Sequence, residues 1–222
     1  VIQMKLMNNW QTKLEKKIKS HLEGYTACHD FYHLDRVRDN AMRIAKEIKC
    51  DKEVLEAAAL LHDAGYKDHE EDDKKHNLYG MKLAEKWLPE AGFPKKKILD
   101  VLEVIRLHDN YHWGHDGEKT KHTETLIIQD ADRIDLLGAI GIARLSYFFG
   151  ERGYPIYTDA PIPETKEVWL NHSLLDQIKR DPIVKYENLN FATSKRIFKK
   201  RADFLKSFYK ELKKELEFHH KK

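Results

Sequence analysis

An adjacent histidine and aspartate, His62 and Asp63, end an apolar run in this sequence, and Ala64 and Gly65 follow them. The upstream apolar residues recur at intervals of three and four, which predicts a helix whose buried face continues to His62; they are Leu55, Ala58 and Ala59. Gly65 is a natural residue to end that helix. A buried imidazole beside a carboxylate needs a partner for its nitrogen, and we expect a divalent metal ion in that role.

Other candidate ligands lie at the ends of apolar faces elsewhere in the chain. His33 precedes Val37 by one turn, so we expect its side chain to point into the core, and His108 closes the apolar face of a later helix. His29 lies one further turn upstream, but Asp30 has the character of an N-cap that would leave His29 outside. His33 and His108 are therefore stronger candidates for metal ligands than His29.

Two aspartates, Asp130 and Asp132, lie within a strongly apolar segment, where a carboxylate is costly unless it is paired or bound to metal. They are separated by roughly 200° around a helix axis, so only one can face a metal centre. Each shares a stripe with apolar residues, and periodicity alone does not choose between them.

The segments that carry these candidate ligands are all predicted to be helical. We find no useful strand-like alternation, and the fold class predicted is all-α. Apolar periodicity and cap residues predict helices at 9–22, from residue 31 to about 48, 51–63, 76–88, 98–108, 123–149, 164–179 and 191–217, with loops at 67–75, 109–122 and 150–163. The helix at 123–149 is apolar on most faces and is expected to be central and buried.

Composition excludes several classes of protein. Forty Lys and Arg stand against 37 Asp and Glu, a formal charge of +3 that does not predict a nucleic-acid partner. No apolar run approaches the length of a bilayer span, so we expect no membrane partner. Cys28 and Cys50 cannot build a disulfide framework, and no secretory signal is evident, so we expect a cytoplasmic protein.

Taken together, three segments resemble the HD-domain superfamily of metal-dependent phosphohydrolases. They are the HDFYHLDRV segment at 29–37, the His62-Asp63 pair, and DADRIDLLGAIGIAR at 130–144. The last is similar to small bacterial HD hydrolases of the nucleoside triphosphate pyrophosphohydrolase type. The resemblance implies an HD-type helical bundle with extra C-terminal helices, which we expect to form one domain over 1–222, with a metal-binding core at 9–150 and a C-terminal extension at 151–222.

The resemblance also implies a ligand set. In that superfamily the last ligand is an aspartate preceded by alanine, which matches Asp132 and leaves Asp130 as runner-up. The metal ligands expected are then His33, His62, Asp63 and Asp132. Two imidazoles and two carboxylates suit Mn²⁺, Fe²⁺, Co²⁺ or Mg²⁺ and leave positions open for water and a phosphate oxygen. We expect one ion per chain.

Dinuclear members of the superfamily use two further histidines between the HD pair and the last aspartate. His76 and His108 occupy the corresponding intervals, so they are predicted to bind a second metal or to contact phosphate. We rank a phosphate contact or a supporting role ahead of a second metal.

Cationic side chains close in sequence to these ligands are candidates for phosphate recognition. We expect Arg36, Lys67 and Arg144 to bind substrate, and Asp63, Lys67 and Arg133 to take part in catalysis. For Arg133 a structural salt bridge is an equal alternative. Residues 64–67 hold no acidic side chain, in contrast to some HD hydrolases, and the general base is unassigned.

The function predicted is hydrolysis of a nucleotide or a similar small phosphate ester by attack of a metal-activated water on phosphorus. The alternatives are a metal-bearing nucleotide sensor without turnover and a diiron oxygenase, which some HD proteins are. The expected partner is a small phosphorylated molecule, with nucleic acid disfavoured. The oligomeric state is open, and a homodimer is one option.

Overall fold

The structure is a computed structural model that describes residues 9–68, 75–109, 120–160 and 172–220. Within these ranges the chain forms helices and turns and no strand, which confirms the all-α prediction. None of the described helices is both long and apolar enough to span a bilayer. The helices are α1 Asn9–His21, α2 Phe31–Ile44, α3 Lys52–Leu61, α4 His76–Ala91, α5 Ile98–Leu107, α6 Thr123–Asp135, α7 Gly138–Glu151, α8 Leu174–Glu187 and α9 Ala192–His220.

The chain divides into two compact units, Val1–Asp132 and Arg133–Lys222. All the predicted metal ligands lie in the first unit. The single domain expected from the sequence, with its core at 9–150, stays a prediction.

In the first unit, α3 is the central helix. It packs against α2 and α5, while α4 packs against α5 and α1. Every α3 residue from Ala57 to Leu61 is fully buried. The three consecutive alanines at 57–59 keep this helix narrow, so neighbouring helices can approach it closely. The structure therefore confirms the predicted buried face that ends at His62, and both α2 and α5 pack against this helix.

Aspartate caps determine where the two helices beside the site begin. The Asp30 carboxylate accepts a hydrogen bond of 2.8 Å from the backbone N–H of His33 and starts α2. Asp51 accepts from the N–H groups of Glu53 and Val54 and starts α3. These are the caps that the sequence predicts, and they satisfy N–H groups that the first turn of a helix leaves without partners.

Side chains tie α6 to the other helices of the first unit. Gln129 donates to the carbonyl of Leu107 at the end of α5, at 3.0 Å. The Glu124 carboxylate accepts from the backbone N–H of Asp51 at 2.6 Å. The start of α6 is thereby held beside the start of α3 and the end of α5, the two helices that carry the predicted ligands His62 and His108.

The single long helix predicted at 123–149 is wrong. It breaks into α6 and α7 at Leu136–Gly138, where Gly138 has a φ of +73°, a conformation unfavourable for residues with a side chain. A Cβ on Gly138 would also lie 3.3 Å from the Arg201 side chain. Because the apolar pattern continues through the break, periodicity gives no sign of it.

Smaller differences occur in later helices. α4 continues past Pro89 to Ala91, and Gly92, at a φ of +86°, ends it. On α4 the side chain of Leu78 is 54% exposed, and the buried residues of the helix include Gly80, Ala84 and Leu88. The helix predicted at 164–179 is found at Leu174–Glu187, and residues 164–171 of that prediction lie outside the described residues. The predicted loops at 67–75 and 109–122 also fall largely outside them.

Gly65, expected to end the helix that carries His62, lies four residues beyond the end of α3 at Leu61. It lies within a 3₁₀ turn, Ala64–Asp68, and its φ is not positive. A Cβ on Gly65 would overlap the carbonyl oxygen of His76 and the backbone nitrogen of Gly80. The residue is therefore glycine because the first turn of α4 lies directly against this turn.

We predict that Gly65→Ala destabilises the protein by about 1–3 kcal/mol, since α4 must move away to admit the methyl group. Urea denaturation followed by circular dichroism measures this change. Gly150→Ala is the matched control: a Cβ there lies more than 4 Å from every described atom outside its own helix backbone and chain neighbours, and the substitution lies in a helix, where alanine is favoured. Equal stability of the two variants would contradict the close approach of α4.

The cap of α3 also carries charge. Burial alone would raise the pKa of Asp51, but the hydrogen bond from Lys97 at 2.9 Å and the two backbone N–H bonds lower it overall. A carboxyl with a lowered pKa in the folded state stabilises the protein above its unfolded pKa, and this stabilisation is lost as pH falls through the folded value.

We therefore predict that Asp51→Ala costs about 1 kcal/mol at pH 7, and that the difference from the unsubstituted protein shrinks as pH falls below about 4. Urea denaturation at both pH values measures it. Asp51→Asn, which keeps a capping side chain, should lose less at pH 7, and a cost independent of pH would contradict the role of the charge.

Candidate metal centre

His62 directly follows α3, and its ring is oriented by the end of that helix. Its Nδ1 lies 2.9 Å from the carbonyl oxygen of Ala59, so Nδ1 carries the proton and donates it. The other nitrogen, Nε2, is buried and makes no hydrogen bond within the described part of the chain. Asp63 Oδ2 lies 3.4 Å from it. A lone pair and a carboxylate oxygen face each other here, which is an arrangement that a cation between them would stabilise.

His108 repeats this arrangement at the end of α5. Its Nδ1 donates to the carbonyl of Ile105 at 2.7 Å, and its Nε2 lies 3.1 Å from Asp63 Oδ1. In both cases a helix-end carbonyl, which has no partner within its own helix, orients the imidazole. His76, the first residue of α4, places its Nε2 3.3 Å from that of His108.

The Asp63 carboxylate lies at the centre of five imidazoles. Its Oδ2 faces His29 Nδ1 at 3.0 Å, His33 Nε2 at 3.3 Å and His62 Nε2 at 3.4 Å. Its Oδ1 faces His108 Nε2 at 3.1 Å and His76 Nε2 at 3.7 Å. The two oxygens thus serve two separate sets of nitrogen donors.

Asp132 joins the first set. Its Oδ1 lies 3.6 Å from His33 Nε2, and potential ligand atoms of His33, His62 and Asp132 all lie within 4.8 Å of one another. The same criterion groups Asp63 with His76 and His108. Asp130, the runner-up in sequence, is fully buried and belongs to none of the groups found among the described residues.

Burial and charge determine the protonation of the cluster. Burial lowers the pKa of His62 to about 4, so this imidazole is neutral near pH 7, as a metal ligand must be. Burial by itself would raise the pKa of Asp63, but the nearby His62 and hydrogen bonds from His108, His29 and His33 bring it well below its usual range. The carboxylate is therefore ionised.

His108 is protonated in the metal-free protein. Burial opposes its charge, but the hydrogen bond and negative charge of Asp63 prevail and raise the pKa of His108 to about 9. A metal ion bound by His108 would have to displace this proton. The donor set fits a divalent cation: it consists of buried imidazole and carboxylate groups without cysteine, and Nε2 of His62 has no hydrogen bond to any described residue.

Three of the predicted cationic residues engage structural partners. Lys67 donates to the backbone carbonyls of His21 and Glu23 at the end of α1, at 2.6 and 2.9 Å. Arg133 donates to the carbonyl of Asn188 at 2.5 Å, and Arg144 forms a buried ion pair with Asp135 at 2.9 Å. For Arg133 the structure thus shows a structural contact, a hydrogen bond to a backbone carbonyl.

Arg36 is half-buried on α2, three residues after His33. The catalytic and substrate-binding roles assigned from sequence to Arg36, Lys67, Arg133 and Arg144 stay predictions.

The structure corrects the prediction for His29, which was expected to lie outside the metal centre. The Asp30 cap is correct and leaves His29 before the helix, but its ring turns back to Asp63 and is 24% exposed. The spacing of four residues between His29 and His33 was a hint in the sequence that both imidazoles face the same site. Whether the ring of His29 reaches Asp63 depends on the path of the chain before α2, which the local sequence pattern does not reveal.

Comparison with known proteins agrees with this geometry. Residues 30–137 match the HD-domain family. Over 201 residues the chain is 28% identical to the Bacillus subtilis protein YpgQ, covering 90% of each. Its fold is similar to that of an HD-superfamily hydrolase from Bacillus thuringiensis, with a TM-score of 0.67 and 27% identity over 94% of this chain and 98% of the other. The structure of YpgQ in complex with ADP superposes with a TM-score of 0.68 and 24% identity, over 90% and 97% of the two chains.

We predict that His62→Ala weakens Mn²⁺ binding by on the order of 100-fold, because it removes a buried, neutral nitrogen that makes no hydrogen bond to the described part of the chain. Isothermal titration calorimetry of the metal-free protein measures the affinity. The matched control is His172→Ala, which removes an imidazole paired with Asp176 in the second unit. Unchanged affinity in His62→Ala, or an equal loss in His172→Ala, would contradict the site.

Proposed function

We propose that this chain, in which residues 30–137 are an HD domain, is a metal-dependent phosphohydrolase that acts on a nucleotide or a similar small phosphate ester. The observation that carries the proposal is the buried, ionised Asp63 with imidazole nitrogens at both of its oxygens. The similarity to an HD-superfamily hydrolase at 27% identity supports the reaction class.

We further propose that the centre holds two divalent cations, whereas the sequence suggested one. Asp63 Oδ2 with His33, His62 and Asp132 would hold the first ion, and Asp63 Oδ1 with His76 and His108 the second. One carboxylate that offers a separate oxygen to each set is suited to bridge two ions. Imidazole and carboxylate donors favour Mn²⁺, Fe²⁺ or Co²⁺, with Mg²⁺ preferring a set richer in oxygen.

When bound, such ions lower the pKa of coordinated water and neutralise phosphate charge. The protein side chains supply the remaining functions. Of the two carboxylates, Asp132 is the more exposed, at 16% against 7% for Asp63, whereas both oxygens of Asp63 face imidazole nitrogens. We assign Asp132 as the group that accepts a proton from the attacking water, and Arg36 as a candidate contact to phosphate.

A nucleotide is the substrate class that the comparisons favour. YpgQ, 28% identical over 90% of its length, has a structure in complex with ADP. The resemblance of residues 130–144 to nucleoside triphosphate pyrophosphohydrolases points to cleavage between the α- and β-phosphates, with release of pyrophosphate. Phosphate and pyrophosphate are distinguishable products, so this finer proposal can be tested directly.

We predict that the purified protein with Mn²⁺ converts nucleoside triphosphates to monophosphates and pyrophosphate, resolved by ion-exchange chromatography with separate assays for both anions. Asp63→Asn, which retains shape and loses the charge, should reduce kcat by at least about 100-fold. His172→Ala serves as the control and should retain activity. Release of neither anion from a broad panel of nucleotides and phosphate esters would contradict the hydrolase.

The second candidate is a diiron oxygenase, because two sets of donors around one carboxylate also suit a pair of iron ions. Elemental analysis of protein purified without added metal distinguishes the two. Two irons per chain together with dioxygen uptake would favour the oxygenase. Release of phosphate or pyrophosphate in the presence of Mn²⁺ would favour the hydrolase. Tight nucleotide binding without any product would instead indicate a sensor.

A further inference from the structure

Six aromatic side chains form a closed series around the Asp63 carboxylate, which we call the aromatic circle. Five are the imidazoles that face Asp63, and the sixth is Tyr66. The distances between neighbouring ring centroids are 5.9 Å for His29–His33, 5.3 Å for His33–His62, 5.0 Å for His62–His108, 5.1 Å for His108–His76, 4.1 Å for His76–Tyr66 and 4.1 Å for Tyr66–His29. Without Tyr66 the five imidazoles would form an open arc.

The contacts of Tyr66 differ from the others in geometry. The imidazoles meet one another edge to face, at interplanar angles between 65° and 87°. Tyr66 instead lies nearly parallel to His76, at 7°, and tilted by 32° to His29. Two rings centred 4.1 Å away cannot both fit over one face of the phenol ring, so His29 and His76 cover opposite faces.

Tyr66 therefore lies between two imidazoles that reach opposite oxygens of the same carboxylate. His29 lies 3.0 Å from Asp63 Oδ2, and His76 lies 3.7 Å from Asp63 Oδ1. The thickness of the intervening ring determines how far apart these two imidazoles can be. Stacked and edge-to-face contacts of this kind are worth about 0.5–1.5 kcal/mol beyond burial.

The backbone holds Tyr66 firmly in this position. Its N–H donates to the carbonyl of Asp63 at 3.2 Å within the 3₁₀ turn. Next to it, Gly65 lies against the first turn of α4, the turn that carries His76. Since both faces of the phenol ring are covered, Tyr66 is not available as a platform on which a nucleobase could stack.

We propose that Tyr66 is a positioning residue whose planar ring holds His29 and His76 at their respective oxygens of Asp63, and thereby sets the affinity of the metal centre. This inference rests on the proposed metal site. It assigns the role to the ring and not to the hydroxyl, because both contacts are made by the ring faces.

Mn²⁺ titrations of the metal-free protein test this, with free Mn²⁺ counted by electron paramagnetic resonance. Tyr66→Phe, which keeps the ring, should bind Mn²⁺ as the unsubstituted protein does. Tyr66→Leu should weaken at least one Mn²⁺ site by about 10–100-fold, the usual effect of removing a group that orients ligands. Tyr154→Leu, which removes a tyrosine packed on Phe149 in the second unit, is the matched control and should not change binding.

Circular dichroism and melting of the metal-free variants show whether each is folded. If Tyr66→Leu does not fold, Tyr66→Met takes its place, since it fills the volume without a planar ring. Unchanged affinity in the folded Leu or Met variant would overturn the inference, and so would an equal loss in Tyr66→Phe. Failure of the unsubstituted protein to bind Mn²⁺ would instead overturn the metal site itself.

Discussion

A buried carboxylate that stays ionised requires compensating interactions, and in this protein Asp63 receives hydrogen bonds from the imidazoles of His29, His33 and His108. Burial alone would favour the neutral acid, yet hydrogen bonds and positive charge bring its pKa well below the usual range. The cluster is nonetheless incomplete as a set of hydrogen bonds, because Nε2 of His62 is buried without one among the described residues. A shared cation explains both features, since it would accept the His62 lone pair and balance the Asp63 charge.

Helix ends are the means by which the first unit brings these groups together. His62 and His108 each follow the last turn of a helix and donate Nδ1–H to a carbonyl that the helix leaves without a partner. One contact thus satisfies the helix end, selects the tautomer and directs Nε2 at Asp63. His33 and His76 come from the first turns of α2 and α4, so the centre is built where four helices begin or end.

The glycine and tyrosine after the His-Asp pair connect these helix ends. Gly65 allows the first turn of α4 to approach closely, which brings His76 to the cluster, and Tyr66 fills the space between His76 and His29. A short 3₁₀ turn therefore carries both the packing contact and the ring contact. Neither residue belongs to the ligand set that the sequence suggests.

The helical class, the two aspartate caps and the inward direction of three imidazoles could be predicted from the amino-acid sequence, because caps and 3.6-residue periodicity are local properties of the chain. These imidazoles belong to His33, His62 and His108. Other features depend on how the helices pack. The break at Gly138 depends on a backbone conformation that an apolar pattern does not record. The placement of His29 and the grouping of Asp132 with His33 both depend on contacts between segments distant in sequence. Two stripes of one helix look equally apolar until the neighbouring helices are in place, which is why periodicity alone could not choose between Asp130 and Asp132.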